Sequence, residues 1–269
     1  MRVVLSRKGM DSAAGGIPSP IMPDKTLLSL PIPDHSGCEG KYADYIYKGR
    51  SYKEIISELN PRFDFSKKSA CHLDPDIYSD IIFHAYPERT PAFGQCDASA
   101  SHLDKHEVDI GDLFLFYGMF RKTGYGVDGK LQYVRSAPTE HIIYGYMVIG
   151  GIIKIQSDID QDYPWHPHST GKSRKANRLY IPAESGTFQF DERLVLTKRG
   201  QEKRCLWELP AFFAGDDIKI SWQGKKKPIL HGNRATLSSS PRGQEFVIEA
   251  SSPAAEQQLA EWAYTLIHH

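Results

Sequence analysis

Residues 111–121 read GDLFLFYGMFR and residues 141–149 read HIIYGYMVI, and these two stretches decide the fold. Aromatic and β-branched residues dominate both of them, which is typical of buried strands. Side chains alternate between the two faces of a strand, so Phe114 and Phe116 share one face. We predict that the two stretches form strands at the centre of a sheet or barrel, with the aromatic rings in its core.

Helical and extended patterns alternate along the rest of the chain. We predict helices at residues 52–59, 97–106 and 253–267. We predict further strands at residues 2–6, 188–197 and 218–222. The fold class that results is α+β: a β-rich mixed sheet or partly open barrel with flanking helices. Because no clean linker interrupts the sequence, we expect a single domain over residues 1–269.

The charge balance is zero as a sum and uneven along the chain. The 269 residues hold 33 basic and 33 acidic side chains, and 40% hydrophobic residues, which excludes disordered, collagen-like and coiled-coil proteins. Residues 71–118 carry nine acidic residues against two basic ones, and residues 165–235 carry 14 basic residues against seven acidic ones. An acidic centre beside a basic rim suits an enzyme that acts on a polyanion, although two solvated faces explain it equally well.

Membrane and redox signals are weak in this sequence. The longest apolar run, residues 144–153, is too short to span a bilayer, and the N-terminus turns polar too early for a signal peptide. The four cysteines, Cys38, Cys71, Cys96 and Cys205, form no CxxC pair, which disfavours a cysteine zinc site and a disulfide framework. We expect a cytoplasmic protein without a cofactor, and we assign no residue to a metal site; whether the protein depends on a metal stays open.

The segment over residues 5–20 reads LSRKGMDSAAGGIPSP, in which a strand runs into a loop rich in glycine and polar residues. Arg7 and Lys8 can hold a phosphate, and Ser12 adds a hydroxyl to the same loop. Asp11 can act as a base or can stabilise positive charge that develops during a reaction. The alternative is a surface loop that Asp11 and Ser12 cap. It is not a P-loop, because the GxxxxGK[ST] order is absent.

A second cluster is the Asp-Pro-Asp run at residues 74–76. Two carboxylates at this spacing can bind a divalent metal. Alternatively, Asp74 is the N-cap of a helix whose first position is Pro75. We favour the cap, which leaves Asp76 as a second candidate carboxylate for chemistry.

Further polar and aromatic residues are candidates for contacts with a substrate. Gln95 and His102 suit the edge of a base, and His141 lies at the end of a predicted strand, as do Phe120 and Arg121. The His-x-His pair of His166 and His168 can chelate zinc, but the sequence identifies no third ligand. The same histidines, together with Asn177, can instead bind phosphate or sugar hydroxyls.

Basic residues recur through the second half of the chain and predict a surface that contacts a phosphate backbone. We assign this contact to Lys172, Arg174, Lys175, Lys198 and Arg199. Lys203, Arg204 and the lysine run at residues 225–227 extend the same surface.

Several motifs occur together in one order: LSRKGMDSAAGGIPSPIMPDKTLLSLPIPD, HLDPDI, FGQCDASASHL, GDLFLFYGMFR, HIIYGYMVIG, HPH with NRLY, and LTKRG with LWELP. Together they resemble the nucleotide-modification-associated domain family, third class. The resemblance covers residues 1–215 and leaves residues 216–269 as a C-terminal extension that ends in a helix. Such domains occur in phage-related and DNA-modification or defence systems, which implies action on DNA with altered bases.

These observations combine into one leading hypothesis and three alternatives. The protein is predicted to be a DNA glycosylase that flips a hypermodified base, for example a glucosylated one, out of phage DNA and excises it in defence of the host. Asp11, Asp76 and Lys8 are the predicted catalytic residues. The alternatives are a transferase that installs a base modification, a non-catalytic reader of modified DNA, and a metal-dependent nuclease.

Overall fold

The structure, a computed structural model, describes residues 1–34, 40–155, 162–169, 176–201, 203–222, 227–240 and 245–268. The strands of these segments are β1 (Val3–Arg7), β2 (Ser19–Ile21), β3 (Ile32–Pro33), β4 (Tyr45–Tyr47), β5 (Arg50–Ser51), β6 (Cys71–His72), β7 (Ile81–Phe83), β8 (Phe93–Cys96), β9 (Leu113–Tyr125), β10 (Leu131–Tyr133), β11 (Thr139–Lys154), β12 (Asn177–Thr187), β13 (Leu206–Pro210), β14 (Ile218–Ile220), β15 (Ile229–His231), β16 (Arg234–Ser238) and β17 (Glu245–Ala250). The α-helices are α1 (Tyr52–Leu59), α2 (Asp97–Lys105) and α3 (Pro253–Ile267), and 3₁₀ turns lie at Glu192–Leu194 and Ala211–Ala214.

The main sheet is mixed and curls into a half-barrel, which confirms the predicted α+β class. Its strands run in the order β14-β17-β1-β9-β11-β12-β8, and β2 and β10 also pair with β9. β1 and β2 lie parallel to β9, whereas the other pairs of this sheet are antiparallel. The stretches over residues 111–121 and 141–149, which form most of β9 and part of β11, are therefore neighbours at its centre.

The strand β9 carries the core on both of its faces. Phe114 and Phe116 are fully buried, and their rings stack 5.8 Å apart. Leu113 and Tyr117, on the opposite face, are buried as well. The alternation is therefore real, and the curled sheet and its flanking elements exclude water from both sides of the strand.

Local signals explain where the helices begin. Ser51 and Glu54 form a capping box at the start of α1, so the first helical residue is Tyr52. Ser252 caps α3, in which a proline occupies the first turn. The predicted bounds of α1 and α3 match the structure, and α2 ends one residue earlier than predicted.

The predicted strand over residues 188–197 is wrong. Its middle is the 3₁₀ turn Glu192–Leu194, which Asp191 caps by accepting a hydrogen bond from the Arg193 amide. A side chain that bonds to the backbone two residues ahead favours a turn over an extended strand.

Residues 216–269, which the sequence separates as an extension, contribute to the main sheet. β17 pairs antiparallel with β1, and β14 pairs with β17. The strand that leads into the N-terminal loop thus lies between the last strand of the chain and β9. In the part of the chain that the structure describes, none of the helices has the length and apolar composition needed to cross a membrane.

Candidate functional site

A cleft of about 350 Å³ lies where the N-terminal loop leaves β1. Its walls are residues 7–12 of the loop, Met119 of β9, His141 of β11, and residues 203–205 before β13. The fold thus brings together five of the side chains predicted for the site, namely Arg7, Lys8, Asp11, Ser12 and His141. Lys203 and Arg204, predicted as part of the basic surface, border the same cleft.

Close backbone packing fixes the loop above β9. The Lys8 amide donates a hydrogen bond of 2.8 Å to the Tyr117 carbonyl. A Cβ atom at Gly118 would lie 2.8 Å from the Lys8 carbonyl oxygen, so glycine permits this approach. Gly9 has a φ of +81°, a conformation that glycine adopts without strain. The parallel pairing of β1 with β9 therefore continues into the floor of the cleft.

Asp11 accepts hydrogen bonds that hold the N-terminal loop, and it also lines the cleft. Its Oδ1 atom accepts hydrogen bonds of 2.7 and 2.8 Å from the amides of Ala13 and Ala14, as in an Asx turn. Its Oδ2 atom lies 3.9 Å from the Arg7 guanidinium. The loop cap and the functional role are therefore compatible, because they use different oxygens of one carboxylate.

His141 presents a neutral imidazole to the cleft. The indole of Trp207 donates a hydrogen bond of 3.0 Å to His141 Nδ1, and an indole N–H can only donate. The proton of the neutral ring is therefore on Nε2. Burial, followed by the charges of Arg7 and Arg204, lowers the pKa of His141 to about 4. At neutral pH the Nε2–H group is available as an uncharged hydrogen-bond donor.

The depressed pKa of His141 predicts that acid destabilises the fold. Below the ordinary histidine pKa of 6.5 the unfolded chain takes up a proton, whereas the folded ring does not until about pH 4. The contribution of His141 to stability is thus complete above pH 6.5 and is lost progressively between pH 6.5 and 4. We expect a His141→Gln variant to show a weaker loss of melting temperature between pH 7 and 5 than the wild type. An equal loss of melting temperature in both proteins would contradict the depressed pKa of His141.

Lys8 directs its ammonium to the interior of the protein. Lys8 Nζ lies 3.1 Å from Glu245 Oε1 and 4.6 Å from the centre of the Phe93 ring. Gln95 donates a hydrogen bond to the same Glu245 oxygen. Only 12% of the Lys8 side chain and 1% of the Glu245 side chain are exposed. Lys8 and Gln95 therefore form a buried polar network with Glu245, a residue that the sequence analysis missed.

The other predicted substrate residues make contacts elsewhere. His102 lies 3.0 Å from Ser221 Oγ and packs on Trp222. Phe120 is buried against Tyr144. Arg121 donates hydrogen bonds to the carbonyls of residues 134 and 135. None of the three is a wall of the cleft formed by the described residues.

Asp76 lines a different cavity, of about 410 Å³. Its carboxylate forms a buried ion pair with Arg89, in which Nε and Oδ2 are 2.8 Å apart. Burial raises the pKa of Asp76, although Arg89 opposes the rise. The two carboxylates predicted for catalysis, Asp11 and Asp76, thus belong to separate places in the fold.

The predicted phosphate-contacting residues are only partly described. Lys172, Arg174 and Lys175 lie outside the described residues. The ammonium of Lys198 bonds to Thr236 Oγ1 at 3.2 Å, and Arg199 forms an ion pair with Glu192.

His166, His168 and Asn177 meet in a buried cluster with Asp74. The prediction that Asp74 caps a helix is wrong, because Asp76 continues instead into a β-bridge with Ala92. Burial alone would raise the pKa of Asp74, but contacts with His166 and His72 outweigh it and hold the pKa well below its usual value. Burial lowers the pKa of His168 to about 3. Of the described residues, His72, Asp74 and His168 bring their ligand atoms within 4.8 Å of one another, as a metal site requires.

Comparison with known proteins identifies one family. The sequence model of the family described as Nucleotide modification associated domain 3 matches residues 2–249. The match continues past residue 215 and covers β14 to β16 and all but the last residue of β17. Neither a curated protein nor a solved structure matches the chain.

Proposed function

The chain belongs to the nucleotide modification associated domain 3 family, and from this premise we propose that it is a DNA glycosylase for hypermodified bases. The family description links the chain to nucleotide modification. The glycosylase activity, the phage DNA substrate and a role in cytoplasmic defence against phage are our proposal.

The observation that supports it is the joint presence of a carboxylate, a neutral imidazole and cations around one cleft. Asp11, His141, Arg7 and Arg204 supply these groups. Cleavage of an N-glycosidic bond develops positive charge on the sugar, which a nearby carboxylate stabilises. The volume of about 350 Å³ lies within the range of small-molecule sites, which suits one flipped nucleotide.

The proposed reaction assigns one role to each group. Arg7 and Arg204 bind phosphates that flank the flipped nucleotide. Asp11 takes a proton from the water that attacks C1′ of the sugar. The bond from C1′ to the base breaks, and its electron pair leaves with the base, which the Nε2–H group of His141 stabilises by a hydrogen bond. The base departs with a proton from solvent, and an abasic site remains in the DNA.

Incubation of the purified protein with glucosylated and with unmodified phage DNA tests this proposal. Mass spectrometry of the released bases and a count of abasic sites are the measurements. We expect release from the glucosylated DNA alone. Tight binding without release would indicate a reader, and a mass gain that needs a donor nucleotide would indicate a transferase. Strand breaks without abasic sites, suppressed by EDTA, would indicate a nuclease.

The assignment of Arg204 to a phosphate predicts a change in the salt dependence of DNA binding. Each lost phosphate contact reduces the slope of log K against log salt by about 0.9. We expect this reduction for Arg204→Ala. We expect no change for Lys67→Ala, which removes an exposed lysine that does not line the cleft. An unchanged slope for Arg204→Ala would remove this residue from the interface.

A further inference from the structure

We propose that His72, Asp74 and His168 form a binding site for a divalent transition-metal ion. The three side chains come from β6, from the segment that follows it and from the segment before β12. Their ligand atoms lie within 4.8 Å of one another. This site does not share a residue with the cleft, so the proposal is independent of the glycosylase proposal.

The orientation of His168 is set by Asn177. Asn177 Nδ2 donates a hydrogen bond of 2.7 Å to the His168 carbonyl, which fixes the amide so that Oδ1 faces the ring. His168 Nδ1 lies 3.0 Å from this oxygen and must donate to it. In the neutral ring the lone pair is therefore on Nε2. Metal-binding histidines are held in this way, by a second partner that fixes the tautomer.

The two carboxylate oxygens of Asp74 have different roles: Oδ1 anchors the side chain to the backbone, and Oδ2 is the proposed metal ligand. Oδ1 accepts a hydrogen bond of 2.8 Å from the Gly94 amide. Oδ2 lies 3.7 Å from Nε2 of His72 and 3.7 Å from Nε2 of His168. A tetrahedral ion with bonds of about 2.1 Å holds its ligand atoms about 3.4 Å apart. Both separations from Oδ2 are close to this value. The ligand nitrogens of the two histidines lie within 4.8 Å of each other, so the imidazoles would move together when an ion binds.

His166 supports the site and is not one of its ligands. Its Nδ1 atom accepts a hydrogen bond of 3.2 Å from the His168 amide, so the proton is on Nε2. That Nε2 atom is buried, has no hydrogen-bond partner among the described residues, and lies 3.4 Å from Asp74 Oδ1. It faces the oxygen of Asp74 that accepts from Gly94, on the side away from Oδ2. The imidazoles of His72 and His168 face Oδ2 and are the two proposed nitrogen ligands.

Gly94 keeps this arrangement compact. A Cβ atom at Gly94 would overlap the ring of His168 and would lie 2.8 Å from Cε1 of His166. Both rings thus pack directly on the backbone of β8, whose pairing with β12 places Asn177 beside Cys96. The sheet therefore holds both the ligand His168 and its orienting partner.

The donor set indicates the kind of ion. Two imidazole nitrogens and one carboxylate oxygen suit zinc and its first-row neighbours, whereas calcium and magnesium favour all-oxygen sites. Three protein ligands leave a coordination position for water or for a substrate oxygen. The His72 side chain is 16% exposed, which places it on the solvent side of the cluster.

Zinc binding by the full chain, without an affinity tag and after treatment with chelator, tests the proposal. Calorimetry with zinc chloride is expected to show a single ion per chain, and cobalt is expected to give the visible absorption of a four-coordinate site. His72→Ala and Asp74→Asn should each lower the zinc affinity at least about tenfold. The matched control is His84→Ala, an exposed histidine, which should bind as the wild type does.

Circular dichroism separates loss of the site from loss of the fold. His72 is the least buried ligand, so His72→Ala is the variant expected to fold with the wild-type spectrum. A wild-type chain that binds no zinc would overturn the proposal. So would a folded His72→Ala variant that retains the wild-type affinity.

Discussion

Replacement of Glu245 with glutamine is expected to lower the free energy of unfolding by about 3 kcal/mol. Glu245 is the counter-charge of Lys8, and both side chains are removed from solvent. Without the carboxylate, the Lys8 ammonium is left buried among neutral groups. Its remaining cation–π contact with the Phe93 ring is too weak to replace the lost counter-charge. Breaking one partner of a buried ion pair costs more than the pair itself contributes. Urea denaturation of both proteins measures the difference.

Two further variants test that explanation. The matched control is Glu249→Gln in the same strand β17, where the carboxylate is 32% exposed and contacts Arg2 at 3.5 Å. Its loss is expected to cost less than about 1 kcal/mol. Adding Lys8→Met to Glu245→Gln removes the uncompensated charge and should restore most of the stability. Equal losses for Glu245→Gln and Glu249→Gln would show that burial of the charge does not matter here.

The fold was predictable from sequence where its signals are local. Tyr52–Leu59 has its capping box within four residues, and the proline and Ser252 at the start of α3 are adjacent. The strands β9 and β11 are long and rich in aromatic and β-branched residues, so their type follows from composition alone. The alternation over residues 188–197 misleads because the side chain of Asp191 competes for the backbone amide of Arg193.

The candidate site was predictable only as far as it is local. Arg7 and Asp11 are four residues apart, and the loop itself places them at the cleft. Lys8 and Glu245 are 237 positions apart, and the pairing of β1 with β17 brings them together. No motif or residue spacing in the sequence predicts a contact between residues so far apart along the chain.

Asp74 shows how a local signal can mislead. An aspartate before a proline satisfies the pattern of a helix start, so the cap is the simplest prediction. Its partners His166 and His168 lie more than 90 positions later. The fold brings both histidines to Asp74, and only His168 joins Asp74 and His72 in the proposed metal site. The sequence could not predict this cluster, because the contacts of Asp74 with the two histidines depend on the pairing of β8 with β12.

The largest functional effect is expected for Asp11→Asn. If Asp11 activates water, its replacement should lower the single-turnover rate of base release by about 10²- to 10⁴-fold. Asparagine keeps an Oδ1 acceptor for the amides of Ala13 and Ala14, so the loop should keep its conformation. The stability change should stay below about 1 kcal/mol, because the contact with Arg7 at 3.9 Å is partly exposed.

Asp76→Asn is expected to give the opposite pattern, which makes it the decisive comparison. Its carboxylate pairs with Arg89 at 2.8 Å, and both side chains are more than nine-tenths buried. Its loss should lower the free energy of unfolding by about 3 kcal/mol while the folded fraction keeps the wild-type rate. The rate per folded molecule, with folding measured by urea denaturation, separates the two effects. A normal rate in Asp11→Asn and a slow one in folded Asp76→Asn would move the catalytic carboxylate to the Asp76 cavity.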